Sequence, residues 1–379
     1  MILRDPVHRC CIYYPSLILI MGWFIMRIPH HHVSATRTHL MHTLTMTCRN
    51  NMSCFAKPNI YQSKRKISKQ LETPEVIFSN NHLLVVNKPA GWKSQPGNGG
   101  GSSSSSAIDP KCLLTYLKSQ SLGGGSNKDF LIPTHRLDQP CSGVLILAKN
   151  RKAASRVQVA WAKRKVKKTY WVVVEGCSQT TSNRNDKMNG LELLIKKSTR
   201  TKAKNIYKLS AILKSTKGKN ARGNRRTNNN NAGGSVLVKP LPPNYLSSND
   251  ENSKDGRVCH IEWKHLRALS DERHLLSVTT DTGAKHQVRA LLAVAGRSPI
   301  SGDLRYGNNR NTQFNHAAEC GRVDQPLRDG SVALHARSIS LPTVSLGGME
   351  FLKDEPFVGS IPSRWKDFFG ISEDDVRQI

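Results

Sequence analysis

The stretch Thr134-His135-Arg136-Leu137-Asp138-Gln139-Pro140-Cys141-Ser142-Gly143 runs without a break into Val144-Leu145-Ile146-Leu147-Ala148-Lys149. A polar loop carrying an imidazole, a guanidinium and a carboxylate thus meets a continuous apolar run, Gly143–Ala148, which reads as a buried strand. A carboxylate at the edge of a rigid strand is held in one place, and a neighbouring positive charge can keep it ionised. Such a group is suited to act as a nucleophile. Taken as a bare triplet, Arg136-Leu137-Asp138 reads more simply as a salt bridge with an Asx-turn.

Working outward, Val76–Phe78 and Leu83–Val86 read as two short β segments about the polar turn Ser79-Asn80-Asn81-His82. They close at Asn87-Lys88-Pro89-Ala90-Gly91, where Pro and Gly impose a turn. Lys111–Ser119 reads as a short helix. Beyond the central stretch, Arg151–Lys165 places Ala154, Val157 and Trp161 at helical spacing with basic residues elsewhere around the helix. Tyr170–Val174, Val258–Trp263 and Leu275–Thr280 read as strands. Gln287–Ala295 reads as a helix stopped by Gly296. Strands outnumber helices and are joined by hairpin-like turns as well as by helices, so the fold class is α+β with a largely antiparallel sheet.

The composition, 37% hydrophobic and 6% aromatic, is lean for a chain of 379 residues. One well-packed domain with polar segments attached is expected: a leader over 1–70, a domain over 71–365 and a tail over 366–379. Low-complexity insertions are expected at about 97–106, 120–128 and 196–257, the last mainly a loop with a strand near Ile206–Leu213. The net charge of +30 points to a polyanionic partner, RNA or DNA before a membrane surface. Residues 1–71 carry ten Lys/Arg against one acid, and 196–257 fifteen against three. Both segments fit a leader and a solvated loop as well as direct contact. Arg151–Lys168, with eight basic residues and no acid, is the better candidate for an RNA footprint.

Nine cysteines without a CxxC pair indicate neither a zinc site nor a disulfide framework, and fit a reducing compartment. The apolar run Cys10–Met26 is interrupted by Pro15 and is marginal as a span, so stable membrane insertion is not expected. The acid-poor leader favours a mitochondrial or plastid transit peptide, with a signal-peptide or bipartite reading left open and cytoplasm or nucleus as the alternative. A monomer is the default.

The central block resembles the H-R-L-D-x-x-T-S-G-L-L-L-L-A-K signature of the RluA-type pseudouridine synthases, and further blocks match that family in the same order. Leu84-Val85-Val86-Asn87-Lys88-Pro89-Ala90-Gly91-Trp92 resembles its N-K-P-x-G motif, and Val166-Lys167-Lys168-Thr169-Tyr170 its K-x-Y motif. Thr282-Gly283-Ala284-Lys285-His286-Gln287-Val288-Arg289 resembles T-G-R-x-H-Q-I-R. Gly296 to Tyr306-Gly307 resembles G-x-P-I-x-G-D-x-x-Y-G, and Leu334-His335-Ala336 the closing L-H-A. Departures fall at Cys141 for Thr, at Gln139, at Ala284 for Arg, and after Ala290, where Leu291 stands in place of a usual His.

The resemblance implies a mixed-sheet domain with an active site in a cleft along the sheet. Asp138 would be the catalytic carboxylate, attacking C6 of uracil or C1′ of ribose. The N1–C1′ bond would break and C5 would join C1′, with no metal or organic cofactor required. Tyr170 would pack on the base and be a candidate for proton abstraction. Its phenol would need tuning for that, since an unperturbed one has a pKa of about 10. Arg289 would pair with Asp138, and Arg136 would hold or displace the flipped nucleotide. His135, His286 and Gln287 are carried over as substrate-side positions, the histidines reading first as structural hydrogen-bonders. Lys88 shapes the cleft wall or contacts RNA. The partner would be ribosomal, transfer or messenger RNA. The competing reading is a catalytically silent RNA-binding or RNA-chaperone relative. A hydrolase built on Asp138 is disfavoured on the reading that none of the matched blocks holds a second carboxylate.

Overall fold

A computed structural model describes residues 72–96, 111–123, 130–176, 179–180, 187–188, 190–215, 236–243, 252–253, 256–307, 327, 329–342 and 355–376. The expectations for the leader and for the 97–106 linker, and most of the 120–128 insertion, lie outside the described residues.

Nine strands trace one sheet: β1 (Glu75–Ser79), β2 (Leu83–Lys88), β3 (Ser142–Ala148), β4 (Lys167–Val174), β5 (Tyr207–Ser215), β6 (Val236–Pro240), β7 (Gly256–Ala268), β8 (His274–Thr280) and β9 (Leu334–Ser340). Their order in space is β1-β2-β3-β9-β4-β8-β7-β5-β6, with two-residue strands added at the margins. Along this path every pairing is antiparallel except β3 with β9. The helices are α1 (Leu113–Ser119), α2 (Arg151–Ala162), α3 (Gly190–Lys197), α4 (Gln287–Ala290), α5 (Arg364–Phe369) and α6 (Glu373–Val376). This is the expected α+β class with a mixed, largely antiparallel sheet. No described helix is long and apolar enough to cross a membrane.

Strand β3 is buried at all seven positions because both faces of the sheet are covered there. Alternate residues point to opposite faces. Leu83, Val85, Val144 and Ile146 pack under α2 with Ala153, Val157 and Ala160. Leu84, Val86, Leu145 and Leu147 pack on the other face with α1, Trp92 and Leu137. The site loop just before β3 thus belongs to the α1 face. A larger cluster unites β4, β5, β7 and β8 with α4, α5 and Ile371.

Gly143 makes the parallel pairing possible. A Cβ there would lie 2.4 Å from both the backbone N and O of Ala336, and its φ of +119° disfavours any side chain. The Ser142-Gly143 pair in the sequence therefore marks the point where β3 is pressed against β9.

The structure departs from the sequence reading in three places. Segment 196–257 bears β5 where a strand is expected near 206–213 and adds the unforeseen β6 at the sheet edge, while residues 216–235, 244–251 and 254–255, on which the loop expectation falls, lie outside the described residues. β5 buries Leu209, Ala211 and Leu213, so apolar alternation outweighs the basic composition. The 366–379 tail is an integral part of the domain at least to residue 376. Trp365, Phe369 and Ile371 are buried in the large cluster, and Glu373 takes a two-bond clasp from Arg337 at 2.7 and 3.0 Å. The expected helix Gln287–Ala295 begins as α4 and continues as a π turn, Leu291–Ala295, where the Gly296 N–H reaches back to Leu291 O at 2.9 Å.

Candidate active site

Asp138 occupies a turn fastened from several sides. Cys141 N–H donates to Asp138 O, Val332 N–H to Pro140 O, and Gly91 N–H to Gln139 O at 2.7 Å. Ser94 both donates to Leu137 O (2.8 Å) and accepts from Leu137 N–H (3.1 Å). Beneath the turn lies Lys88, fully buried at the end of β2. Its ammonium donates to Cys141 O at 2.6 Å, Trp92 O at 2.9 Å and Pro89 O at 3.0 Å, with Gln139 O at 3.4 Å. Burial pushes its pKa down to about 8, while the Cys141 thiol and Asp138 act the other way. One side chain thus joins the Asn87–Gly91 turn to the Asp138 loop.

The Asp138 carboxylate is partly exposed and receives Arg289 Nη1 at 2.9 Å on Oδ2. Arg289 is buried in α4, and a single carboxylate cannot satisfy its five N–H donors. Asp303 takes two more, accepting Nε at 2.7 Å and Nη2 at 2.8 Å in the two-pronged geometry that suits guanidinium and carboxylate. Burial works against the charge on Arg289, but the hydrogen bond and field of Asp303 more than offset it, and the pKa ends above the usual arginine range. Asp303 Oδ1 also caps the backbone N–H groups of Arg305 (3.1 Å) and Tyr306 (3.3 Å).

The other Asp138 oxygen, Oδ1, faces His286 Nε2 at 3.7 Å. His286 sits in the left-handed region (φ 54°) as the residue before α4, and its Nδ1 lies 2.7 Å from the Tyr306 hydroxyl. With that hydroxyl donating, the ring proton resides on Nε2, towards Asp138. Burial pushes His286 down to about 4 despite the opposing pull of Asp138, so the ring is neutral at pH 7. Tyr306 is pushed up to about 12 by burial and stays a donor. Arg136, Lys285 and Arg305 are exposed at the mouth, and burial, then Arg305 and Arg136, lower the Lys285 pKa.

Tyr170 lies on the same lateral row of the sheet as Gly143. It pairs with Ala336, which pairs with Gly143. It packs against the α1-face cluster as well as the large one, half-buried. Burial, with Cys141 and Asp138 adding to it, raises its pKa well above the ordinary phenol value.

A family model described as RNA pseudouridylate synthase matches residues 82–294, more than half of the chain. The chain belongs to this family. The pseudouridylate synthase match covers Lys88, Asp138, Tyr170 and Arg289 and stops short of Asp303. Among curated relatives, the ribosomal large subunit pseudouridine synthase C of Vibrio vulnificus is 30% identical over 285 residues, covering 72% of this chain and 68% of that protein. That of Rickettsia bellii is 27% identical over 244 residues, covering 64% of this chain, and the chain spans 60% of its length. A solved human structure, RNA Pseudouridylate Synthase Domain Containing 1, aligns at 16% identity and a TM-score of 0.45, covering 81% of this chain and 94% of that one.

Of the positions read from sequence as pseudouridylate synthase site residues, Asp138, Arg289, His286 and Arg136 gather at one mouth, with Tyr170 on the adjoining sheet row. Three others turn inward. His135 Nε2 accepts the Ile146 N–H at 3.0 Å, and its ring packs on Trp161. Burial, helped by Lys168, lowers its pKa to about 3. Gln287 spends its amide on Ala284 N–H, His260 O and Thr282 Oγ1, bracing the 280–286 loop. Lys88 faces carbonyls alone. Lys168, counted in the basic cluster, is buried, donates to Thr282 O and lies over Trp161. Asp303 and Tyr306 stand in the Gly296–Gly307 block matched in the sequence, and their place in the site is what sequence reasoning misses. Asp303 is also the second carboxylate expected to be lacking, although both its oxygens are committed to Arg289 and backbone N–H groups. The signal for it is the demand of a buried guanidinium for a second acid.

Proposed function

We propose that this protein isomerises uridine to pseudouridine in RNA with Asp138 as the attacking carboxylate. The observation that carries the reading is the Asp138–Arg289–Asp303 chain. Arg289 is clamped from behind by Asp303 and aimed at one Asp138 oxygen, while the other faces His286 Nε2 at 3.7 Å on a carboxylate that stays partly exposed. Preorganised charge of this kind needs no rearrangement as the reaction proceeds. The uracil must leave its stack to reach the site, at a cost of a few kcal/mol. Arg136, Lys285 and Arg305 are suited to the phosphates around a flipped nucleotide.

Attack by Asp138, at C1′ or at C6, accompanies breakage of the N1–C1′ bond. The detached uracil turns, C5 bonds to C1′, Asp138 is released, and the C5 proton is exchanged for one on N1. Tyr170 is held as a neutral phenol, which makes it a poor base at neutral pH. Its role is to pack on the base, and the released Asp138 carboxylate is the better acceptor of the C5 proton.

Large-subunit ribosomal RNA is the substrate class to test first, following the names its relatives carry. The test is tritium release from RNA labelled at C5 of uridine. Wild type should release tritium, and Asp138→Asn should lower the rate roughly 10⁴-fold or more while still binding RNA. RNA binding by wild type without release would instead favour an RNA chaperone. The leader supports a mitochondrial or plastid location, to be checked by fusing residues 1–70 to a fluorescent protein. A monomer is expected in light scattering.

A further inference from the structure

Helix α2 stands on the face of the sheet opposite the Asp138 loop. Its buried side, Ala153, Ala154, Val157 and Ala160, packs on Val85, Val144 and Ile146. Its outward side carries Lys152, Arg156 and Val159, with Lys163 as the residue capping its C-terminal end, spaced i, i+4, i+7 and i+11, which places them in one stripe. At 1.5 Å per residue the three cations span about 16 Å. Val159 between them is 46% exposed.

Two observations separate this stripe from an ordinary solvated helix face. The helix contains no acid at all, so no i,i+4 pair balances the cations, and among the described residues none of the three makes an ion pair. Arg151 and Lys152 occupy the first turn, where the helix dipole favours acids and opposes cations. The turn is instead held by Asn150, whose side chain accepts the Ala153 N–H at 2.8 Å. A local preference broken without compensation inside the fold points to a charge kept for something outside it.

We infer that the Lys152–Arg156–Lys163 stripe is a second RNA-docking surface, remote from the active site, that grips the phosphate backbone of a double-helical segment of the substrate RNA. The partner is duplex rather than single strand because the stripe offers no aromatic ring for bases to stack on. The one tryptophan of the helix, Trp161, is turned inward against His135 and Lys168. A row of cations without a stacking platform matches recognition of a duplex by its backbone. The inference rests on RNA being the substrate. It assigns the stripe affinity and orientation and no part in bond making.

The test compares wild type with Lys152→Gln/Arg156→Gln/Lys163→Gln, and with the charge-preserving Lys152→Arg/Arg156→Lys/Lys163→Arg. The probe is an RNA hairpin with a stem of about 16 base pairs and a uridine-containing loop. Affinity is measured from low to high salt. Removing one cation from a phosphate should reduce the slope of log K against log salt by about one, so the neutral variant should show a slope shallower by roughly three. The charge-preserving variant should keep the wild-type slope. Tritium release at saturating large-subunit ribosomal RNA should be the same for all three proteins, and so should the thermal midpoint. A neutral variant with an unchanged slope, or wild type that fails to bind the hairpin, overturns the inference. A neutral variant that loses turnover at saturation overturns the remote assignment. The slope needs no turnover, so wild type that binds but releases no tritium defeats the catalytic reading while the docking surface is still judged.

Discussion

Asp303 touches no position where a substrate would bond, yet the ion pair at Asp138 depends on it. Removing one partner of a buried charge pair leaves the other charge unmatched, at about 3 kcal/mol or more. Asp303→Asn keeps shape and volume but leaves Arg289 with half its clamp and frees it to swing from Asp138. Turnover should fall roughly 10- to 100-fold, the range for loss of an orienting neighbour, with RNA affinity close to wild type. Tritium release and hairpin binding on the same preparation check this, and equal losses in both would contradict a positioning role. At this scale the sequence is legible where a residue type is rare and constrained: Asp138 beside a buried strand, Arg289 in a motif helix. It leaves His135, Gln287 and Lys88 open between ligand and structure, because a polar side chain in a motif looks the same whether it faces ligand or its own backbone. Only partners such as the carbonyls around Lys88 distinguish the two.

Among the elements, β3 is the easiest to read and β6 the hardest, with β5 legible only as a strand inside an expected loop. A continuous apolar run can only be buried on both sides, whereas β5 alternates Leu209, Ala211 and Leu213 with polar residues inside a stretch dominated by lysine and asparagine. Composition averaged over so long a segment hides a period of two. The C-terminal helices escape notice for a similar reason: Trp365 and Phe369 lie in a short charged segment whose partner surface is distant in sequence. The closeness of β3 to β9 gives the sharpest element-scale expectation. Gly143→Ala puts a methyl into the Ala336 backbone at a positive φ, combining overpacking with backbone strain. Roughly 3 kcal/mol or more should be lost, measurable as a fall in the urea midpoint. A stability within about 0.5 kcal/mol of wild type, the size of an ordinary surface change, would mean the two strands can move apart.

At the scale of the whole molecule, the described residues include three imidazoles that burial lowers far, His135 to about 3 and His286 and His335 each to about 4, while His260, His265 and His274 are lowered as well. Between those values and the ordinary 6.5 the unfolded chain binds protons that the folded one refuses. Stability therefore rises with pH through this window and is lost on acidification. Lowering the pH from 6.5 to 5 should remove on the order of 2 kcal/mol for each of the first three imidazoles, read from urea unfolding at the two pH values. A flat response would show the rings to be wetter than their packing implies. The parallel contact of Gly143 with Ala336 also bears on synthesis. A ribosome makes the Asp138 loop long before it makes the strand that walls it, and nearly 200 residues must emerge in between. Polypeptides released or cleaved anywhere in that interval carry Asp138 without its wall, so incomplete products of translation lack a finished site around that carboxylate.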